Sequence, residues 1–128
     1  MSSLASWDVF YVYVEQFYKC KYVIVVAEVG SSVGVLFINT EQISNADLQV
    51  CDVAIDVLDH PFLHHRSYVS GAGLDTTGRL MYLPRGLFID EKKGVIAPHC
   101  RATILQALND CPSAKQKTLD FINQHMLP

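Results

Sequence analysis

The spacing of apolar positions changes character about three-quarters of the way along the chain. From Trp7 to Leu83 apolar residues come in short dense runs broken by turn-forming residues, the pattern of strands. Trp7–Glu15 is rich in Val, Phe and Tyr. Val9, Tyr11 and Tyr13 alternate with Phe10, Val12 and Val14, which predicts a strand covered on both faces. After a short link at Gln16–Cys20, Lys21–Glu28 and Val33–Thr40 are two further buried runs. Gly30-Ser31-Ser32 separates them, so they predict an antiparallel hairpin. The asparagine and acids of Glu41–Asp47 predict a loop or a single helical turn. Cys51–Leu58 predicts another strand, stopped by His60-Pro61, because proline lacks the ladder donor and restrains the residue before it. Ser67–Ser70 resumes a short strand, Gly71, Gly73 and Gly78 mark a turn region, and Arg79–Leu83 predicts a last strand or extended arm closed by Pro84-Arg85-Gly86.

The last part of the chain repeats at helical spacing. Pro98 stands at a first-turn position, and Cys100, Ile104, Ala107, Leu108 and Cys111 fall on one face, with Cys111-Pro112 ending the helix. Ser113 with Gln116 three residues on reads as a capping box for a second helix, striped by Leu119, Ile122 and Met126. Two short amphipathic helices need a surface on which to bury those stripes, and the sheet is the only large one. The predicted fold class is α+β: a small, mainly antiparallel β-barrel over residues 7–83 with two C-terminal α-helices over 97–126, in one domain spanning 1–128.

Composition agrees with that picture. At 128 residues, half apolar and 18% charged, the chain fits one domain with a real core and is too apolar for intrinsic disorder. No apolar run approaches the roughly 18–20 residues of a membrane span. The opening Met1–Asp8 has neither the basic nor the long apolar part of a signal peptide, so a soluble, cytoplasmic protein is expected. A net charge of -3 argues against a sequence-independent, basic nucleic-acid binder. A local basic patch stays open, since His64-His65-Arg66, Arg79, Arg85 and Lys92-Lys93 crowd the middle third. Cys20, Cys51, Cys100 and Cys111 form no C-x-x-C pair and no zinc-ligand spacing. With a reducing compartment expected, all four are predicted to be free, metal-free thiols, Cys100 and Cys111 serving as small core hydrophobes.

The stretch Asp59–Tyr68 is the densest in chemistry: three imidazoles, a guanidinium, a carboxylate and two hydroxyls. Imidazole moves protons near neutral pH and guanidinium holds phosphate charge, the ingredients of metal-free RNA cleavage. The plain alternative is a turn with solvated histidines. His60 and His64 have the i,i+4 spacing of a helical metal pair, but Pro61 disfavours a helix there, so no metal is expected. His99 and Cys100 are adjacent on a helix and point about 100° apart, which argues against a nucleophile–base pair. Thr40, ending an apolar strand, stands where ligands approach a barrel rim, and also where any strand simply ends. The aromatic run Phe10, Tyr11, Tyr13, Phe17, Tyr18 and Tyr22 can stack bases, but coincides with the strongest strand signal and reads as core.

In this order of elements, Trp7–Val14 resembles the opening G-D-[IV]-[VY]-x-[VA] strand of the MazF/PemK (Kid) toxin family. Lys21–Val26 resembles its R-P-[AV]-[LV]-[VI]-[VI] strand, Val35–Thr40 its V-x-x-x-P-[LI]-T strand, and Ser67-Tyr68-Val69 its S-[VY]-[VA] strand. The likeness covers about the first 80 residues. It implies an SH3-like barrel with added helices, a homodimer, an antitoxin-like protein partner, and cleavage of single-stranded RNA without metal or cofactor. The family's catalytic arginine and proline correspond to Lys21 and Tyr22, its glycine-rich loop to Gln16–Cys20, and its threonine to Thr40. Lysine cannot reproduce the two-pronged guanidinium contact. The expected site residues are therefore His64, His65, Arg66, Lys21 and Thr40, in a toxin-like endoribonuclease. The alternative is a non-catalytic barrel that works through protein–protein contacts.

Overall fold

The computed structural model describes residues 4–42, 49, 51–70 and 79–128. Most of the predicted loop at Glu41–Asp47, and the predicted turn region around Gly71, Gly73 and Gly78, lie outside them.

Strands β1 (Asp8–Val14), β2 (Lys19–Val29) and β3 (Ser32–Asn39) run as an antiparallel meander. Gly30 opens the two-residue β2–β3 turn at φ +61°, the place where a primed hairpin turn requires glycine. β3 then pairs differently at its two ends. Ser32–Val35 meet β6 (Met81–Pro84), while Phe37–Asn39 meet β5 (Ser67–Ser70), which in turn pairs with β4 (Asp52–Ile55). Gly34 permits the β6 crossing, since a Cβ there would stand 2.6 Å from Leu80 Cδ2. A bulge in β2 between Val25 and Ala27 bends the long strand. The short β7 (Gly94–Val95) pairs with the start of β1. The described strands thus form one curled, antiparallel half-barrel, which the two C-terminal helices α1 (Pro98–Asn109) and α2 (Gln116–His125) complete as an α+β fold.

Period-two alternation sorts the apolar side chains onto two faces. Phe10, Val12, Val14, Val23, Val25, Val33, Val35 and Phe37 fill the inside of the curl with Leu83 and Phe88. Val9, Ile24, Val26, Leu36 and Ile38 face the other way and pack with Ile104, Leu108, Leu119, Ile122 and Met126. Both predicted helical stripes are therefore docked. The Trp7 indole donates to the carbonyl of Leu127 at 2.7 Å, tying the C-terminus to the first strand.

Four sequence expectations need correction. First, β1 is not covered on both faces: Tyr11 and Tyr13 are 45% and 49% exposed, because the core that includes the helices takes in Val9 but not these two. Tyr18 and Phe17 are exposed too, so most of the aromatic run is not core. Second, β4 stops at Ile55, since Asp56–His60 folds into a turn in which the His60 N–H donates to the Asp56 carbonyl at 3.1 Å. Third, no Ser113–Gln116 capping box forms. Residues 111–114 make a turn instead, the Ala114 N–H donating to the Cys111 carbonyl at 3.2 Å, and α2 starts at Gln116 after an extended Lys115. Fourth, Cys51 and Cys111 form a disulfide with Cα atoms 5.1 Å apart. Both are buried, Cys111 as expected of a small core hydrophobe, but they are not free thiols. Their 60-residue separation hides the pairing from any local pattern, and only the docking of α1 against β4 brings them together. Cys20 and Cys100 are free.

Candidate functional site

At the exposed Tyr11 the sheet opens into a cleft of about 580 Å³, which gathers residues from three further stretches of sequence. Lys19 and Lys21 come from β2, Thr40 and Glu41 from the end of β3, and His64 and His65 from the segment before β5. Four of the five predicted site residues, Lys21, Thr40, His64 and His65, therefore line one cleft, Lys21 reaching it from the sheet face of Phe37. Arg66 does not line it. Its Nε lies 3.7 Å from Asp56 Oδ1, with both side chains roughly two-thirds exposed to solvent at 65% and 64%.

The turn that carries the histidines is held by its own buried part. His60 is fully buried, with Nδ1 3.1 Å from the Asp56 carbonyl and Nε2 accepting the Ala97 N–H at 3.0 Å. A carbonyl can only accept, so Nδ1 carries the proton and His60 is the neutral Nδ1–H tautomer. With both nitrogens occupied His60 cannot share a metal with His64. Two residues further, Tyr22 Oη donates to the Phe62 carbonyl at 3.0 Å, and Leu63 is buried. These anchors leave His64 and His65 exposed at a defined place on the rim. His65 Nδ1 donates to the Arg66 carbonyl at 2.9 Å, which in the neutral ring puts the lone pair on Nε2.

Lys21 is the least exposed of the cleft's charged groups. Its ammonium lies 4.9 Å from the Phe17 ring centroid and 5.7 Å from that of Phe37, and it donates to Asn39 Oδ1. Burial holds the Lys21 ammonium below the usual lysine range, and the neighbouring Lys19 pushes the same way. Two lysines against Glu41 give the cleft a local positive charge that the chain's net charge of -3 hides. An anion between the lysines relieves their repulsion. Tyr11, resting on Tyr22 with ring centroids 4.7 Å apart, supplies a flat apolar wall. Sequence reasoning missed Lys19 and Glu41 altogether and took Tyr11 for core. The alternation of Lys19 with Lys21 along one strand face was the available signal.

No protein-family model matches the chain, and no curated protein matches it. Among the described residues no helix is long and apolar enough to cross a membrane.

Proposed function

We propose that the protein is a toxin-like, metal-independent endoribonuclease that cuts single-stranded RNA in this cleft. The observation that carries the reading is the meeting of Lys21, Thr40, His64 and His65 from three segments around one cavity large enough for a nucleotide. The chemistry follows from the atoms present. His65 Nε2, the lone-pair nitrogen of the neutral ring whose Nδ1 is held by the Arg66 carbonyl, takes the proton of a 2′-hydroxyl, whose oxygen attacks the adjacent phosphorus. His64 in its imidazolium form gives a proton to the departing 5′-oxygen, so the P–O5′ bond breaks to a 2′,3′-cyclic phosphate and a 5′-hydroxyl. Lys21 and Lys19 hold the non-bridging oxygens, Thr40 donates a hydrogen bond to one of them, and Tyr11 stacks on the flanking base. Arg66 takes no part in this scheme, because its ion pair with Asp56 lies outside the cleft.

The reading follows the MazF/PemK resemblance in expecting an antitoxin-like partner and a homodimer, and it puts the protein in the cytoplasm with its RNA. There the Cys51–Cys111 bridge has to persist against a reducing pool, which its burial favours. A thiol count on freshly lysed cells tests that point. The second reading, a non-catalytic barrel acting through protein contacts, draws support from the exposed Tyr13, Phe17 and Tyr18, which lie together around the β1–β2 connection.

Cleavage of a mixed-sequence single-stranded RNA in EDTA separates the two. The enzyme reading expects wild-type cleavage that falls with His64→Ala, His65→Ala and Lys21→Ala. Absence of cleavage at micromolar wild-type protein leaves the binding module.

A further inference from the structure

We infer that Asp59, His99 and Cys100 form a binding site for a divalent transition metal, with zinc the best-fitting ion. The site is separate from the cleft, none of whose lining residues it uses. One donor atom from each of the three side chains lies within 4.8 Å of the other two, and Asp59 Oδ2 is already 3.1 Å from His99 Nε2. Tetrahedral zinc with bonds of 2.0–2.3 Å needs its donors roughly 3.3–3.8 Å apart. At most about 1.5 Å of closure is required by that comparison, a range within reach of side-chain rotation at the exposed Asp59 and His99.

What brings these residues together is the buried His60. Its Nε2 accepts the Ala97 N–H, so the residue next to Asp59 is clasped to the residue two before His99. Backbone on both sides of the site is fixed before any ion arrives, which removes much of the ordering cost of binding. His99 and Cys100 lie in the first turn of α1. Burial, with the charges of Asp59 and Asp56, pushes the Cys100 thiol up, so the thiolate forms only with the metal.

The donor set selects the ion. A thiolate and an imidazole suit zinc and its softer neighbours, whereas magnesium and calcium require oxygen donors. Three protein ligands leave a fourth position for water or an incoming ligand, the layout of open rather than closed zinc sites. Binding converts the Cys100 thiol to a metal-bound thiolate and passes its proton to the buffer.

The test is titration of Co²⁺, then Zn²⁺, into the full chain in a Cys20→Ser background without thiol reductant. One equivalent of Co²⁺ is expected to raise a thiolate-to-cobalt charge-transfer band together with the intense visible absorption of four-coordinate cobalt. Zinc should abolish both, and close to one proton should be released per metal. Cys100→Ser should remove the charge-transfer band, while His99→Ala and Asp59→Asn should each weaken the affinity at least ~10-fold, since even outer-shell losses cost that much. The double variant His64→Ala/His65→Ala should bind as the background does, and far-ultraviolet circular dichroism checks that each variant is folded. A missing band under excess Co²⁺, a band that survives Cys100→Ser, affinity indifferent to both His99→Ala and Asp59→Asn, or loss of the site on removing His64 and His65 each overturns the assignment.

Discussion

Within one turn, His60 and the pair His64–His65 stand in opposite situations. His60 is completely buried, and both its nitrogens are spent on backbone groups, one on its own turn and one at the start of α1. His64 and His65 are exposed and line the cleft, and His65 uses one nitrogen, Nδ1, on the Arg66 carbonyl. The same imidazole is scaffold in one place and available chemistry four residues later. What separates them is where the nitrogens point. The scaffold member serves the others, because the turn it pins presents His64 and His65 on one flank and Asp59 on the other.

That contrast yields predictions, largest effect first. If the exposed pair carries proton transfer, His65→Ala and His64→Ala should each slow RNA cleavage by ~10²–10⁴-fold while leaving the urea midpoint almost unmoved. A large loss of stability in either variant would erase the distinction from His60. The scaffold side rests on α1 staying docked. Opening the Cys51–Cys111 bridge frees a loop of 60 residues in the unfolded chain, which on chain-entropy grounds costs ~4 kcal/mol. Denaturant curves of the Cys51→Ser/Cys111→Ser double variant measure it.

His60→Leu should cost about 1–3 kcal/mol, because it strands the Ala97 N–H, while the Asp56 carbonyl keeps the backbone N–H of residue 60. Thermal unfolding checks this, and a neutral outcome would mean that His60 does not clasp the turn to α1. Lys21 supplies a smaller, pH-dependent test. Burial and Lys19 lower its folded-state value, so the unfolded chain holds that proton more tightly. Stability should therefore rise with pH between the folded and the ordinary lysine values, and Lys21→Gln should flatten the rise in alkaline urea titrations. Smallest of all, Arg66→Ala should change stability by less than ~0.5 kcal/mol, as its pair with Asp56 is exposed. Cleavage should survive it; a marked loss would bring Arg66 back into the cleft in the RNA-bound protein.

Much of the architecture can be read along the chain. The hairpin around Gly30 and the strand Ser67–Ser70 follow from dense apolar runs between turn residues. The docked stripes of Ile104 and Leu108, and of Leu119, Ile122 and Met126, follow from helical spacing. Errors gathered where a residue's surroundings come from afar. Tyr11 has the spacing of a core residue, but whether another layer covers it depends on how far the helices reach. Ser113 and Gln116 have cap spacing, yet a turn at residues 111–114 beside the disulfide takes up that stretch.

For the candidate site the division is sharper. Local composition alone marked Asp59–Tyr68 as chemically dense, and the strand motifs singled out Lys21 and Thr40. Which of its side chains meet was decided by tertiary structure: His64 and His65 join Lys21 and Thr40, Arg66 turns to Asp56, and His60 goes into the core. The Asp59–His99 contact and the Cys51–Cys111 bridge join positions 40 and 60 residues apart. Periodicity reports which way a side chain leaves its own backbone. Its partners depend on how the sheet curls and where the helices land, and those are set by the summed burial of the whole apolar pattern.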